Sequence, residues 1–146
     1  MEKPFALKTV AILSVVLGFG ILAEAVLTFI VFFLPIFADA GNVVGYYFVL
    51  LIGGIAEILV SACLIGGGVG LMKTQNLARY SAGIGWVGAA VLGIVIFAGA
   101  AERVGYTGAS PTGSFLAIFS IIIVTVAICY YLWFGSTVRA LFAGKS

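Results

Sequence analysis

Apolar residues run along this chain in four long blocks, separated by short polar or glycine-rich breaks. The blocks are Val10 to Phe37, Val43 to Met72, Ala78 to Ala101 and Phe115 to Phe134, the last open to extension as far as Phe142. About 20 helical residues, rising ~1.5 Å each, cross the hydrocarbon core of a bilayer. Each block is long enough to span, and the first two, at 28 and 30 residues, must tilt or project. Lipid cannot satisfy backbone N–H and C=O groups, and the strict alternation of a transmembrane β-barrel is absent, so each block is predicted to be a helix. The expected fold is all-α: one transmembrane domain over residues 1–146, an antiparallel four-helix bundle with short loops.

The breaks carry ordinary punctuation. Pro35 and Ala38-Asp39-Ala40-Gly41-Asn42 are expected to close the first helix, and Lys73-Thr74-Gln75-Asn76 to divide the second from the third. Glu102 to Ser114, with Pro111 and several Gly, Ser and Thr, is expected to form the longest loop. Lys3 and Lys8 before an apolar stretch, with Ala38-Asp39-Ala40 after it, imitate a secretory signal. The stretch far exceeds the roughly 7–15 apolar residues of a signal core, and it is read as a retained first span.

Basic residues orient the bundle. Lys3, Lys8, Lys73, Arg79, Arg139 and Lys145 fall on one side and Arg103 alone on the other. Since cytoplasmic loops carry the excess of Lys and Arg, both termini and the turn at 73–77 are expected in the cytoplasm, most naturally of a cell (inner) membrane. Tyr46 and Tyr47 at one interface, and Tyr130, Tyr131 and Trp133 at the other, fit the aromatic belts of such a protein.

Composition narrows the chemistry. The chain is 64% hydrophobic and 8% charged, whereas a soluble domain needs about 25% charged residues to cover its surface. A net charge of +2, without a basic helix face, argues against a nucleic-acid partner. With no His and only Cys63 and Cys129, the usual ligand sets for zinc, copper or haem iron cannot be assembled, so no metal or other cofactor is expected. Both cysteines lie in apolar runs and are read as small hydrophobes.

Two carboxyls stand where carboxyls are costly. Glu24 has 14 residues of its block before it and 13 after; Glu57 has 14 and 15. A charge at that depth costs roughly 2.5–3.5 kcal/mol on insertion scales, and neither block contains a Lys or Arg to offset it. Each Glu is therefore expected to be protonated, hydrogen-bonded or paired with something outside the chain. Their surroundings match: Gly20-Ile-Leu-Ala-Glu24-Ala-Val-Leu-Thr28 lies over Gly53-Gly-Ile-Ala-Glu57-Ile-Leu-Val-Ser61. Helical spacing places Gly20 and Thr28 on the face of Glu24, and Gly53 and Ser61 on that of Glu57. In each nonapeptide the glycine permits a second helix to approach, and the hydroxyl can donate to a carboxylate or to its own backbone. Consecutive spans run in opposite directions, so the repeat is inverted, an arrangement at whose interface transporters often bind substrates.

Other motifs add less. Gly66-Gly67-Gly68-Val69-Gly70 lacks the Lys-Ser/Thr of a phosphate loop and is read as a packing notch. Gly85, Ala89 and Gly93 form a small-residue stripe on the third helix. Thr125, Cys129 and Trp133 share a face of the fourth without composing a site. The basic rim of Lys73, Arg79, Arg139 and Lys145 is read first as a topology determinant and second as a contact for anionic headgroups.

The stretch Ile21-Leu22-Ala23-Glu24 resembles the first-helix segment of small multidrug-resistance transporters, four-helix proteins whose essential Glu binds protons and cationic drugs in a dimer. That resemblance implies a carboxylate-centred site at Glu24. The longer helices and the second midplane Glu depart from the pattern. Ala-Glu in a glycine-rich helix is also similar to the proton-carrying helix of rotary ATPase proteolipids. Two functions follow as expectations. One is a non-catalytic accessory or scaffold subunit within a homo-oligomer or larger membrane complex, partnered by lipid and by other membrane subunits or itself. The other is a small carboxylate-dependent transporter or proton/cation-coupled carrier using Glu24 and Glu57. No nucleophile, base and oxyanion arrangement emerges, so an enzyme is not expected.

Overall fold

A computed structural model describes residues 3–37, 44–104 and 111–143, with side chains over 3–30, 51–95 and 116–143. The predicted turn from Ala38 to Asn42 and Lys145 lie outside the described residues, as do the side chains of Tyr46, Tyr47 and Arg103. The described residues form five helices: α1 Phe5–Phe37, α2 Val44–Met72, α3 Asn76–Val104, α4 Pro111–Phe134 and α5 Ser136–Ala143. Four of these, α1 to α4, are long and apolar enough to cross a membrane.

Helix ends differ from the expected ones for local reasons. α1 begins at Phe5 rather than Val10, because Pro4 starts the helix: its carbonyl accepts from the Leu7 and Lys8 amides. Pro35 does not itself end α1, which continues two residues to Phe37; lacking an N–H, Pro35 leaves the Val31 carbonyl without its i+4 donor in the last turn. The loop expected over 102–114 is shorter, since Glu102, Arg103 and Val104 complete α3 and Pro111 opens α4. Proline suits a first helical position, where its missing N–H leaves no bond unmade. The extension toward Phe142 is a separate helix. Gly135 interrupts α4, and a Cβ there would lie 2.4 Å from the Tyr131 carbonyl oxygen, to which Gly135 donates its amide.

The α2–α3 turn is closed by a Schellman arrangement: Gln75 N–H reaches the Gly70 carbonyl and Thr74 N–H the Leu71 carbonyl. The residue that takes the left-handed conformation is Thr74, at φ 57°, where glycine is usual.

Packing is sequential: α1 lies on α2, α2 on α3 and α3 on α4, whereas α1 meets α3 only slightly. Glycines set the close approaches. A Cβ on Gly67 would fall 2.4 Å from the Ala82 nitrogen of α3, and one on Gly68 2.7 Å from the Ala11 carbonyl of α1. Gly70 sits against Ala78, Gly85 against Leu64 and Gly88 against Val60. The glycine run of α2 is thus a packing notch on two sides, although Gly66 faces open space.

The tightest core lies at one end of the bundle. Leu7, Val10 and Ala11 of α1, Leu71 of α2, Ala78 and Ala82 of α3 and Leu132 of α4 meet Val138 and Phe142 of α5 there. α5 is amphipathic: it buries Val138 and Phe142 while Arg139 stays outside, its guanidinium over the Phe134 ring. Elsewhere the helices present large apolar side chains outward, Leu59, Val95, Leu116 and Val126 each more than 60% exposed. In water such a surface would drive aggregation. Against lipid tails it costs nothing, which together with the four long helices supports insertion in a membrane.

Candidate membrane carboxyl site

α1 and α4 do not close against each other, and a partly open cavity of about 430 Å³ lies between them. All four long helices wall it. α1 contributes Leu17, Ile21 and Glu24 at spacings of four and three residues, one face of a helix. α2 contributes Glu57 alone. α3 presents Trp86, Ala89, Ala90 and Gly93, and α4 presents Ser120, Ile121, Val124 and Thr125. The space exists because the α3 stripe is made of Ala and Gly: at Gly93 the Ile121 Cδ1 comes no nearer than 3.5 Å to a Cβ position. Gly85, predicted to share that stripe, instead packs on Leu64 of α2.

The two sequence-predicted carboxyls both line this cavity. Their settings differ. Glu57 is 9% exposed, whereas Glu24 stands exposed at the cavity mouth. Thr28 Oγ1 donates to Glu57 Oε2 at 3.3 Å, so the hydroxyl of the first nonapeptide serves the acid of the second across the helix pair. The reciprocal bond does not form: Ser61, 2% exposed, donates to the Ile58 carbonyl at 2.8 Å. The nonapeptide repeat is therefore asymmetric in the folded chain. Among the described residues, a Cβ on Gly20 or Gly53 would have nothing within 4 Å.

The remaining polar atoms of the wall are largely engaged. Trp86 Nε1 donates to Ser14 Oγ at 2.9 Å, and Ser14 donates to the Val10 carbonyl at 2.8 Å, tying α3 to α1. Ser120 donates back to the Leu116 carbonyl. Cys129, buried one turn beyond Thr125, points its thiol at the Gly83 carbonyl, 3.6 Å away. Gly83 also makes room for the Trp133 indole, so Cys129 and Trp133 are packing residues. Thr125 is buried and lines the cavity, a place its sequence context did not reveal. Trp86, Ser120 and Thr125 were invisible as site residues, because only the packing of α3 and α4 turns them toward the acids.

No lysine or arginine lines the cavity, and no group of three His, Cys, Asp or Glu forms among the described residues. What the wall offers is two carboxyls in an apolar chamber. Carboxyls in such surroundings are groups that can bind a proton or a cation. The volume falls within the range of about 300–1,000 Å³ typical of small-molecule pockets. Comparison with protein-family models, curated proteins and solved structures returns no match.

Proposed function

We propose that this chain is a small membrane carrier in which Glu24 and Glu57 exchange protons for a lipophilic monocation. The observation that supports this reading is the convergence of both midplane acids on one apolar cavity with no basic residue among its described lining. Two protons neutralise the empty pair, and the entering cation takes the place of one of them. The hydrophobic cation enters from the bilayer, its apolar groups resting on Leu17, Ile21, Ile121 and Val124, and one carboxyl keeps its proton. The exposed Glu24 meets the ligand first and the buried Glu57, steadied by Thr28, holds it. Because proton and cation compete for the same carboxyls, acidification weakens cation binding. No covalent step is involved.

The accompanying arrangement is a single domain of antiparallel spans, with both termini and the turn at 73–77 in the cytoplasm of a cell membrane. The hydrogen bond from Lys3 to the Met72 carbonyl, which joins the start of α1 to the end of α2, and the six-to-one distribution of basic residues support it. The test is binding of tetraphenylphosphonium to the purified protein by isothermal titration, with uptake into proteoliposomes driven by a pH gradient. Saturable binding that weakens at low pH and is lost in Glu57→Gln and Glu24→Gln is expected. Equal binding by the double Gln variant, or neither binding nor proton-driven flux in the parent, overturns the proposal.

A second reading, the accessory or scaffold subunit, is favoured by Gly20 and Gly53, whose Cβ positions meet nothing within 4 Å among the described residues. Such positions fit a helix of a partner subunit or a second copy, with an Arg or Lys of that helix opposite Glu24. Gly20→Leu and Gly53→Leu would then dissociate the assembly while leaving the protomer folded. An unchanged assembly by mass photometry in nanodiscs rejects this reading.

A further inference from the structure

A second cavity, of about 270 Å³, lies at the opposite end of α1 from its predicted turn, between the start of α1 and the end of α2. Its floor is apolar: Leu7, Ala11 and Ile12 from α1, Leu71 and Met72 from α2. Two lysines, Lys3 and Lys8, stand on its rim. Lys3 Nζ donates to the Met72 carbonyl, which anchors the ammonium at the mouth and leaves two of its three donors for another acceptor. Lys8 is exposed. Neither Glu24 nor Glu57 lines this groove, and both belong to the other cavity. Lys73, next to Met72, adds a third positive charge at the same helix end.

An oily floor under a doubly cationic rim, at the end of two membrane-spanning helices, is complementary to an amphiphile with an anionic head. Inorganic phosphate would meet the lysines but gain nothing from Leu7, Ile12 or Met72. A zwitterionic lipid would fill the floor but bring its own positive charge to the rim. We infer that this groove binds one anionic phospholipid, its phosphate between Lys3 and Lys8 and one acyl chain along Ile12 and Met72. The bound lipid stitches α1 to α2 at the end where the core is tightest, and its site is independent of the carboxyl cavity.

The test is thermal unfolding of the full-length protein in neutral detergent, titrated separately with phosphatidylglycerol, phosphatidylcholine and inorganic phosphate. Native mass spectrometry counts the lipids retained. Phosphatidylglycerol is expected to raise the midpoint saturably with one lipid per chain, and phosphatidylcholine and phosphate to leave it unmoved. The double variant Lys3→Gln/Lys8→Gln should weaken the apparent affinity roughly 30-fold, from the usual contribution of each basic residue near an anionic surface. Ile12→Trp keeps both ammonium groups, fills the acyl groove and should also abolish the shift, which carries the test if the lysine variant folds poorly. Arg139→Gln and Glu57→Gln should retain the lipid. Equal response of the double lysine variant, an undiminished shift in Ile12→Trp, or a shift by phosphate matching that of the lipid overturns the inference.

Discussion

Replacing Gly67 by alanine puts a methyl carbon 2.4 Å from the Ala82 nitrogen, 2.6 Å from its Cα and 2.9 Å from its Cβ. Two of these atoms are backbone and cannot rotate away. Comfortable contact requires about 3.5 Å, so α2 and α3 must part by about 1 Å at their closest approach. Overpacking of this kind costs about 1–3 kcal/mol, against a gain of at most about 1 kcal/mol from the better helix propensity of alanine. The neighbouring Gly66 supplies the control, because a Cβ there meets nothing within 4 Å. Gly66→Ala should be neutral or slightly stabilising, leaving the two variants about 1–3 kcal/mol apart. Equilibrium unfolding in mixed micelles, followed by the fluorescence of Trp86 and Trp133, measures the difference. If Gly67→Ala proves as stable as Gly66→Ala, the α2–α3 interface is not the backbone contact described above.

Four further outcomes are expected of the same unfolding assay, one supplemented by exchange. Ser14→Ala removes the acceptor of the Trp86 indole N–H and should cost about 1–3 kcal/mol, the penalty of a polar group left unsatisfied. Thr28→Val deletes the 3.3 Å bond to Glu57, long for a hydroxyl donor, and should cost about 0.5–1 kcal/mol, with a larger loss implying a tighter bond. Phe142→Ala empties the centre of the end core, where the ring is 1% exposed, and should cost about 3–5 kcal/mol. Amide exchange in α5 should accelerate with it, and unchanged exchange would mean that Val138 alone holds the helix. Thr74→Gly relieves the positive φ of a β-branched residue and should stabilise by about 0.5–1 kcal/mol, net of the hydroxyl bond to the Lys73 carbonyl.

The four spans and the two acids within them are legible in the residues alone, because hydrophobic length and the cost of a charge in hydrocarbon are properties of a segment and need no neighbour. The packing role of the Gly66 to Gly70 run was legible for the same reason: a helix face without side chains invites an approach, whichever helix makes it. Helix ends were less so. Pro111 reads as a loop residue until it is known to occupy the first position of α4, and Gly135 separates α5 from α4 only through the closeness of the Tyr131 carbonyl.

What the residues could not disclose was the difference between two matched acids. Glu24 and Glu57 share a glycine four residues before, an alanine just before and a hydroxyl four residues after, yet one is exposed and the other buried, and Thr28 turns to the Glu of the other helix. Burial depends on which helix covers which face. α2 is flanked by both α1 and α3, whereas α1 has a packed neighbour chiefly on its α2 side. The cavity has the same origin: the small residues of α3 and the gap between α1 and α4 bring Trp86, Ser120 and Thr125 to the acids from positions 29 to 68 residues beyond Glu57. Depth in the membrane is written along each helix, but the partner of each face is a property of the bundle.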